Sequence, residues 1–241
     1  NKKMEKRKFV SFIDKYYLAG STNSVKLQCK DQALGCQFIT EDQNVVGNVT
    51  MKGFDMPDCE LGVYTTAQLT KMLTALGNDV TVQVNKADQT AFSIQLADTS
   101  TIITYMLADL SVIQQAPNMK QLPEFNVAID LSKDLADKFV KSKNALPDAE
   151  NFAVKSDGMG TEMILNYSSL NTNRISFDVT VKDPGDLNAV CFSANLLKEI
   201  LVANKDADSG TLEVSQQGLA RATFKSGDFE ATYYLVQLQA A

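Results

Sequence analysis

The chain has 241 residues, a net charge of −6 and 44% hydrophobic residues, a size that suits one large domain or two domains of about 120 residues. It contains no histidine, which excludes Ser-His-Asp and Cys-His nucleophile systems and imidazole metal ligands. The 22% share of charged residues is typical of a soluble globular protein.

The first predicted elements are a helix near the N-terminus and three strands. Residues 8–18 have the apolar spacing of a helix, and the strand expected before it is short or missing. β-rich runs then predict strands at Val25–Cys29, Leu34–Ile39 and Val45–Met51. The chain therefore opens with a unit of one helix and three strands.

The next stretch predicts a strand, a helix and three more strands. Leu61–Tyr64 reads as a strand, and Thr65 with Gln68 matches a capping box, so a helix is expected to begin there. Its apolar face has the spacing i, i+3, i+4 and i+7, at Leu69, Met72, Leu73 and Leu76. The strands that follow are predicted at Val80–Val84, Phe92–Leu96 and Ile102–Leu107.

The second half of the chain repeats this order. At an offset of 128 residues, Asp58 falls on Asp186 and Tyr64 on Phe192, which indicates an internal duplication. A third unit has its strand and helix within 127–139, and a fourth has its helix from Ala194. The remaining strands are predicted at Phe152–Lys155, Glu162–Tyr167, Ile175–Val181, Leu212–Ser215, Ala220–Phe224 and Ala231–Val236.

A connector separates the two halves. Ala108–Leu122 breaks both periodicities and contains Pro117. The predicted organisation is therefore a domain over 1–107, a connector over 108–122 and a domain over 123–241. The predicted fold class is α+β: two similar domains, each with two β-α-β-β-β units and antiparallel sheets.

Charge is distributed unevenly between the predicted helices and the rest of the chain. The helical segments 6–19, 65–76, 131–144 and 194–205 hold eleven Lys and Arg and four acids, a net charge of +7, and the remainder carries −13. A Lys-rich solvent face is ordinary for helices, so a phosphate-facing role and a plain solvated face both remain open. Each of the four segments is net basic, which favours the first.

The four cysteines predict no metal site. Cys29, Cys36, Cys59 and Cys191 are irregularly spaced and form no CxxC pair, whereas structural zinc needs clustered ligands. A disulfide framework is not expected in a chain of this length without a secretory leader. We expect reduced and mostly buried thiols, with no metal and no cofactor.

The order and spacing of these units resemble the DNA sliding clamps, the processivity factors of DNA polymerases. The likeness is to the T-even-type bacteriophage clamps in particular, and the chain is similar to proliferating cell nuclear antigen. The ending Ala231–Val236 (ATYYLV) looks like the closing strand of that family, and Phe192–Leu197 (FSANLL) like the start of its last helix. The resemblance covers nearly the whole chain.

The resemblance implies a ring of three chains that encircles duplex DNA without sequence specificity, with helices inside and sheets outside. It implies DNA-facing roles for Lys8, Lys15, Lys71, Lys138, Lys141, Lys198 and Lys205. It implies a partner-peptide pocket for DNA polymerase and clamp loader that includes Val45, Val46, Leu110, Val112, Ile113, Met119, Tyr234, Val236 and Leu238. It implies a subunit interface that includes Ser100, Ile102, Thr104, Arg174, Ser176 and Asp178.

Two other classes of function remain open at this point. One is a non-enzymatic structural or interaction protein with duplicated α+β domains and no DNA. The other is a carboxylate- or metal-dependent enzyme built on the acidic pairs Asp55/Asp58, Glu41/Asp42, Asp183/Asp186 and Asp206/Asp208, although Asp in such turns is also favoured for turn chemistry. The sliding clamp is the preferred interpretation, and it implies no enzymatic activity, no membrane association and a location in the cytoplasm of the infected bacterial host.

Overall fold

The computed structural model describes residues 2–181 and 184–239. The described chain divides into two compact units. Unit 1 contains the residues up to Glu41, Gly47–Pro117 and Asp228–Ala231, and unit 2 contains Asp42–Val46, Asn118–Gly227 and the residues from Thr232 onward. The division after Pro117 lies within the predicted connector.

Unit 1 holds the first two β-α-β-β-β units. The first consists of β1 Lys2–Glu5, α1 Lys6–Tyr17, β2 Val25–Lys30, β3 Ala33–Ile39 and β4 Val45–Lys52, of which unit 1 takes the part from Gly47. The second consists of β5 Cys59–Val63, α2 Thr66–Leu73, β6 Asp79–Ala87, β7 Thr90–Ala97 and β8 Ile102–Met106. The leading strand expected to be short or missing is present as the four-residue β1.

The strands of unit 1 form two antiparallel arrays, in the orders β1-β6-β7-β8 and β5-β2-β3-β4. Both helices bury an aromatic or aliphatic stripe against them. Tyr16 of α1 stacks near Phe38 of β3, with ring centroids 6.5 Å apart, and its hydroxyl shares a 2.8 Å hydrogen bond with the Thr66 hydroxyl of α2. The core therefore links both helices to the sheets.

Unit 2 repeats the arrangement. Its third β-α-β-β-β unit consists of β9 Val127–Asp130, α3 Lys133–Ala145, β10 Asn151–Asp157, β11 Thr161–Leu165 and β12 Ile175–Val179. Its fourth consists of β13 Asp186–Ser193, α4 Ala194–Ala203, β14 Ser209–Ser215, β15 Leu219–Ser226 and β16 Phe229–Val236, of which unit 2 takes the part from Thr232. The strand orders are β12-β11-β10-β13 and β16-β15-β14-β9.

An aromatic cluster joins the helices of unit 2 to their sheet. Phe139 of α3 meets Phe152 of β10 edge-to-face at 5.4 Å, and Phe152 lies 5.8 Å from Phe192 of β13. The three rings are fully or almost fully buried. The predicted α+β class with antiparallel sheets is confirmed.

The capping box predicted for α2 does not form. Thr65 is the N-cap but its side chain makes no capping hydrogen bond. Asn23 replaces it, because its carbonyl accepts the N–H of Thr66 at 2.9 Å and its Oδ1 accepts the N–H of Ala67 at 3.1 Å. A loop residue from elsewhere in unit 1 thus satisfies the first amides of the helix.

α3 and α4 are capped by the side chain of the residue that directly precedes each helix. Removing such a cap is expected to destabilise the protein more than removing the N-cap side chain of α2, which makes no capping bond. The Ser193 hydroxyl accepts the N–H of Leu196 at 3.2 Å, so we expect Ser193→Ala to lower the free energy of unfolding by about 1 kcal/mol. The matched control is Thr65→Ala, which removes no capping bond and is expected to cost less than about 0.5 kcal/mol. Denaturant titration of both variants measures the contrast, and equal losses would contradict it.

An aspartate in the turn between β7 and β8 is expected to make the stability of the protein depend on pH. The Asp98 carboxylate accepts N–H groups of Gly77 at 2.8 Å, Ser100 at 2.9 Å and Thr101 at 2.7 Å, and these bonds lower the pKa of Asp98 below 3.8. A lowered pKa stabilises the fold above the unfolded-state value and loses that contribution as pH falls through the folded-state value. We expect Asp98→Asn to lower the melting temperature at neutral pH and the difference to shrink below about pH 4. A difference that did not shrink as the pH was lowered would contradict this cause.

Candidate nucleic-acid interface and docking surfaces

The positive charge of the helices is concentrated on three of the four. Within the observed bounds α1 carries a net +3, α2 +1 and α3 +2, whereas α4 is neutral because Lys198 and Glu199 offset each other. The prediction that every helix is net basic is therefore wrong for α4. Lys205, predicted to lie on it, is exposed in the turn that follows Ala203.

The prediction that Lys15 faces DNA is wrong. The residue is only 1% exposed, and its Nζ donates to the Ser11 hydroxyl at 2.8 Å and lies 4.4 Å from the ring centroid of Phe229. The α1 face with Lys8, Ser11 and Lys15 looked like a solvated face in the sequence. Phe229 covers it at Lys15, and a cation–π contact replaces water around the ammonium.

Lys8, on the same face, is partly exposed and ion-paired. Its Nζ lies 2.7 Å from Asp228 Oδ2. That contact lowers the pKa of Asp228, so the carboxylate is ionised at neutral pH. Much of the charge of Lys8 is thus offset inside unit 1.

The other predicted DNA-facing lysines have accessible side chains. Lys71 on α2, Lys138 and Lys141 on α3, and Lys205 are exposed, and Lys198 on α4 is partly exposed. The ammonium of Lys138 also lies 5.7 Å from the ring centroid of Phe177. Their accessibility is compatible with phosphate contact, and the role itself stays a prediction.

Two helix lysines counted as basic charge serve the fold. Lys6 Nζ donates to the carbonyl oxygens of Leu73 at 3.0 Å and Leu76 at 2.5 Å, at the C-terminal end of α2, where a cation is favourable. Lys143 is buried and donates to the carbonyl of Pro147 at 2.5 Å. For these two lysines a structural role is the better interpretation.

A groove in unit 2 is lined by one lysine, Lys133, that was not among the lysines predicted to face DNA. Lys133, Lys141 and Lys205 line it together with apolar side chains such as Val202. Lys133, Asp137 and Lys141 follow one another at intervals of four along α3, so all three lie on one side of the helix. That spacing was the signal that could have selected Lys133.

The docking residues of unit 1 lie where the connector leaves β8. Leu110–Val112 forms a 3₁₀ turn capped by Asp109, whose side chain accepts the N–H of Ser111 at 2.9 Å. The Ala108 N–H donates to the carbonyl of Gly62 at 2.9 Å. A Cβ at Gly62 would stand 2.4 Å from the Ala108 carbonyl oxygen and 3.1 Å from Ile113 Cδ1. Glycine at this position of β5 therefore leaves room for the connector to pack against the strand. Val112, in the connector, remains exposed.

The docking residues of unit 2 differ in accessibility. Val45 is fully buried, so the prediction that it contacts a peptide is wrong, because a core side chain offers no surface. Val46 is nearly buried, Val236 is exposed, and Met119, Tyr234 and Leu238 are half-buried. The Leu238 N–H donates to the Cys191 carbonyl at 3.0 Å, which anchors the C-terminal segment. The pocket formed jointly by these residues and the connector stays a prediction.

The two strands predicted to join neighbouring chains are both sheet edges. β8 is the last strand of β1-β6-β7-β8, and β12 is the first of β12-β11-β10-β13. Ile102 and Thr104 on β8, and Ser176 and Asp178 on β12, are exposed, as are the preceding Ser100 and Arg174. Ile102 is 68% exposed and Met106, also on β8, is 63% exposed. An edge strand with exposed apolar side chains, such as β8, is open to pairing with another chain.

No protein-family model matches the sequence, and no curated protein matches it. Its structure is similar to the crystal structure of proliferating cellular nuclear antigen (PCNA) from Entamoeba histolytica, with a TM-score of 0.77 and 16% identity over 98% of each chain. It is also similar to A. fulgidus PCNA, solved with the C-terminal region of FEN-1 bound, with a TM-score of 0.76 and 16% identity over 99% of this chain and 98% of that chain.

The chain has the fold of a PCNA-like clamp. This likeness extends over 98% of the chain and agrees with the two-unit architecture and the four repeated β-α-β-β-β units. At 16% identity it establishes the fold, and the function follows only as a proposal.

Within this clamp fold four of the acidic residues considered for catalysis take part in turns and ion pairs. Asp58 Oδ1 accepts the N–H of Asp31 at 3.2 Å, Asp42 that of Asn44 at 3.0 Å, and Asp208 that of Gly227 at 3.3 Å. Asp55 lies 3.2 Å from Lys2 Nζ, and Asp183 lies outside the described residues. In the part of the chain that the structure describes, no three His, Cys, Asp or Glu side chains form a metal-binding group. No helix there is long and apolar enough to cross a membrane.

Proposed function

We propose that this protein is a DNA sliding clamp: a ring-forming, non-enzymatic processivity factor that encircles duplex DNA and tethers replication proteins. The observation that carries the proposal is the PCNA-like fold over 98% of the chain. The T-even-type phage likeness of the sequence, the homotrimeric ring and the location in an infected bacterial cell are parts of the same proposal.

The charge pattern supports this function. The accessible lysines on α2 and α3 lie on elements that are net basic, although the whole chain carries −6. Lysines near phosphates lower the free energy of bound DNA without reading its sequence. A ring needs only this diffuse attraction, because retention is topological.

Partner binding is supported by the connector and the C-terminal segment. Val112 and Val236 present exposed apolar side chains, one in each unit, and one similar structure contains A. fulgidus PCNA with the C-terminal region of FEN-1 bound. By similarity we propose that DNA polymerase and the clamp loader dock here through short peptides. Val112→Glu is the variant that tests this surface, since it places a charge where an apolar contact is proposed.

The deciding experiment compares circular and linear DNA. Loaded by a cognate clamp loader, the protein is expected to stay on a closed circle and to leave within seconds after a single cut. Equal retention on both forms would overturn the proposal. Size measurement is an independent check, since three copies of the 26.4 kDa chain give about 79 kDa.

The main alternative is a scaffold of clamp fold that does not bind DNA. It shares the fold and requires no retention on circular DNA, so the same experiment separates the two functions.

A further inference from the structure

Two cysteines lie directly opposite each other at one end of the β2–β5 pair. The antiparallel register places Cys29 against Cys59, and each thiol shifts the pKa of the other. Opposed residues in antiparallel strands have Cα atoms about 4.5–5.5 Å apart, within the roughly 4.4–6.8 Å that a disulfide spans. Both thiols are free, so the pair is a dithiol whose place in the strand register suits a disulfide.

The two thiols differ in accessibility and ionisation. Cys29 is 1% exposed, whereas Cys59 is partly exposed at the start of the edge strand β5. The neighbouring Cys29 thiol lowers the pKa of Cys59, and the ammonium of Lys86 acts in the same direction. That ammonium lies 3.5 Å from the carbonyl oxygen of Asp58, the residue before Cys59. The accessible cysteine is thus the better nucleophile.

The remaining cysteines lack such a partner. Cys36 of β3 stands opposite Leu27 in the β2–β3 register, and burial raises its pKa. Cys191 lies in unit 2, and burial raises its pKa also. They provide internal controls for the reactivity of the pair.

We propose that Cys29 and Cys59 form a thiol–disulfide exchange site, at which Cys59 reacts with a low-molecular-weight disulfide and Cys29 resolves the product. The Cys59 thiolate attacks one sulfur of the small disulfide and expels one thiolate. The Cys29 sulfur then attacks Cys59 Sγ, expels the second thiolate and loses its proton. The two protein thiols are oxidised by two electrons in total, and the small disulfide is reduced to two thiols that take up both protons.

The disulfide would join the start of β5 to the end of β2. β5 leads directly into α2, and the bond closes a segment of about 30 residues in the unfolded chain, which stabilises the folded state. The oxidised protein is therefore expected to melt several degrees higher than the reduced one, and dithiothreitol is expected to reverse the shift.

Peptide mapping of the native protein treated with oxidised glutathione tests the proposal. After unfolding in denaturant, alkylation of the remaining thiols and digestion without reduction, we expect a peptide pair linked through Cys29 and Cys59. Cys36 and Cys191 are expected to be alkylated. Before alkylation, the intact mass is expected to fall by about 2 Da, the two hydrogens lost in disulfide formation. Glutathione retained on Cys59, or free thiols at both positions, would overturn the assignment.

Cysteine variants distinguish the attacking role of Cys59 from the resolving role of Cys29. Cys29→Ser removes the resolving thiol, so glutathione is expected to remain on Cys59. Cys59→Ser is expected to leave Cys29 unreacted because it is buried. Cys191→Ser is the matched control and should form the same link as the unmodified protein. If Cys29→Ser does not fold, the linked peptide of the unmodified protein still decides the proposal, and Lys86→Gln is expected to slow the reaction of Cys59 several-fold.

Discussion

Two lysines introduced at the exposed edge of β8 are expected to convert the proposed trimer into monomers. Ile102 and Met106 are 68% and 63% exposed in the single chain, and both lie on an edge strand. If this edge pairs with β12 of a neighbouring chain, the double variant Ile102→Lys, Met106→Lys places two charges in that contact. Charge on an edge strand opposes strand pairing, so the mass in solution should fall from about 79 kDa to 26.4 kDa.

The matched control for this variant is Met159→Lys. Met159 is 94% exposed and lies in the turn between β10 and β11, on neither edge strand. It should leave the mass unchanged. The monomeric variant should also lose retention on circular DNA while keeping its circular dichroism spectrum and melting transition. A variant that remained trimeric would show that β8 is not the joining edge.

Removing the accessible helix lysines is expected to weaken DNA loading by an order of magnitude. The variant combines Lys71→Gln, Lys138→Gln, Lys141→Gln and Lys198→Gln. Each lysine close to phosphate contributes to counterion release, so the loss of four per chain reduces both affinity and its dependence on salt. The measurement is loading on circular DNA as a function of salt concentration, and we expect a decrease on the order of tenfold at low salt.

The control replaces four exposed lysines outside the helices, Lys30→Gln, Lys52→Gln, Lys120→Gln and Lys155→Gln. It changes the net charge by the same amount, so it separates position from overall charge. Loading should be close to that of the unmodified protein. Equal losses of loading in the two variants would show that the helix lysines have no special role in binding DNA. The trimer mass of both variants checks that the ring is intact.

Local sequence patterns predicted the elements and most of their positions. Side chains repeat every 3.6 residues along a helix and every two along a strand. These periods involve only residues close together in the sequence, so apolar spacing was enough to predict α1 and α2. The helix predicted from Ala194 is α4, and the structure shows that the Ser193 hydroxyl caps it by accepting the N–H of Leu196. The duplication at an offset of 128 residues indicated two similar domains. These features depend on residues close together along the chain.

The roles of single side chains depended on contacts that are remote in sequence. Lys15 is buried because Phe229 covers it, and α2 is capped by Asn23 instead of its own Thr65. Val45 lies in β4, and its side chain is buried in the core. Each outcome depends on how elements pack, and one-dimensional patterns do not contain that information.

The sequence by itself determined the α+β class, the repeated units and the separation of a net charge of −6 into basic helical segments and an acidic remainder. Those properties follow from composition and local periodicity. Only the tertiary structure decided which lysines are accessible, since Lys15 and Lys143 are buried and Lys8 is paired with Asp228. It also decided which strands are sheet edges and that Cys29 faces Cys59. The physical reason is that exposure, ion pairing and strand register are set by packing between residues far apart in the chain.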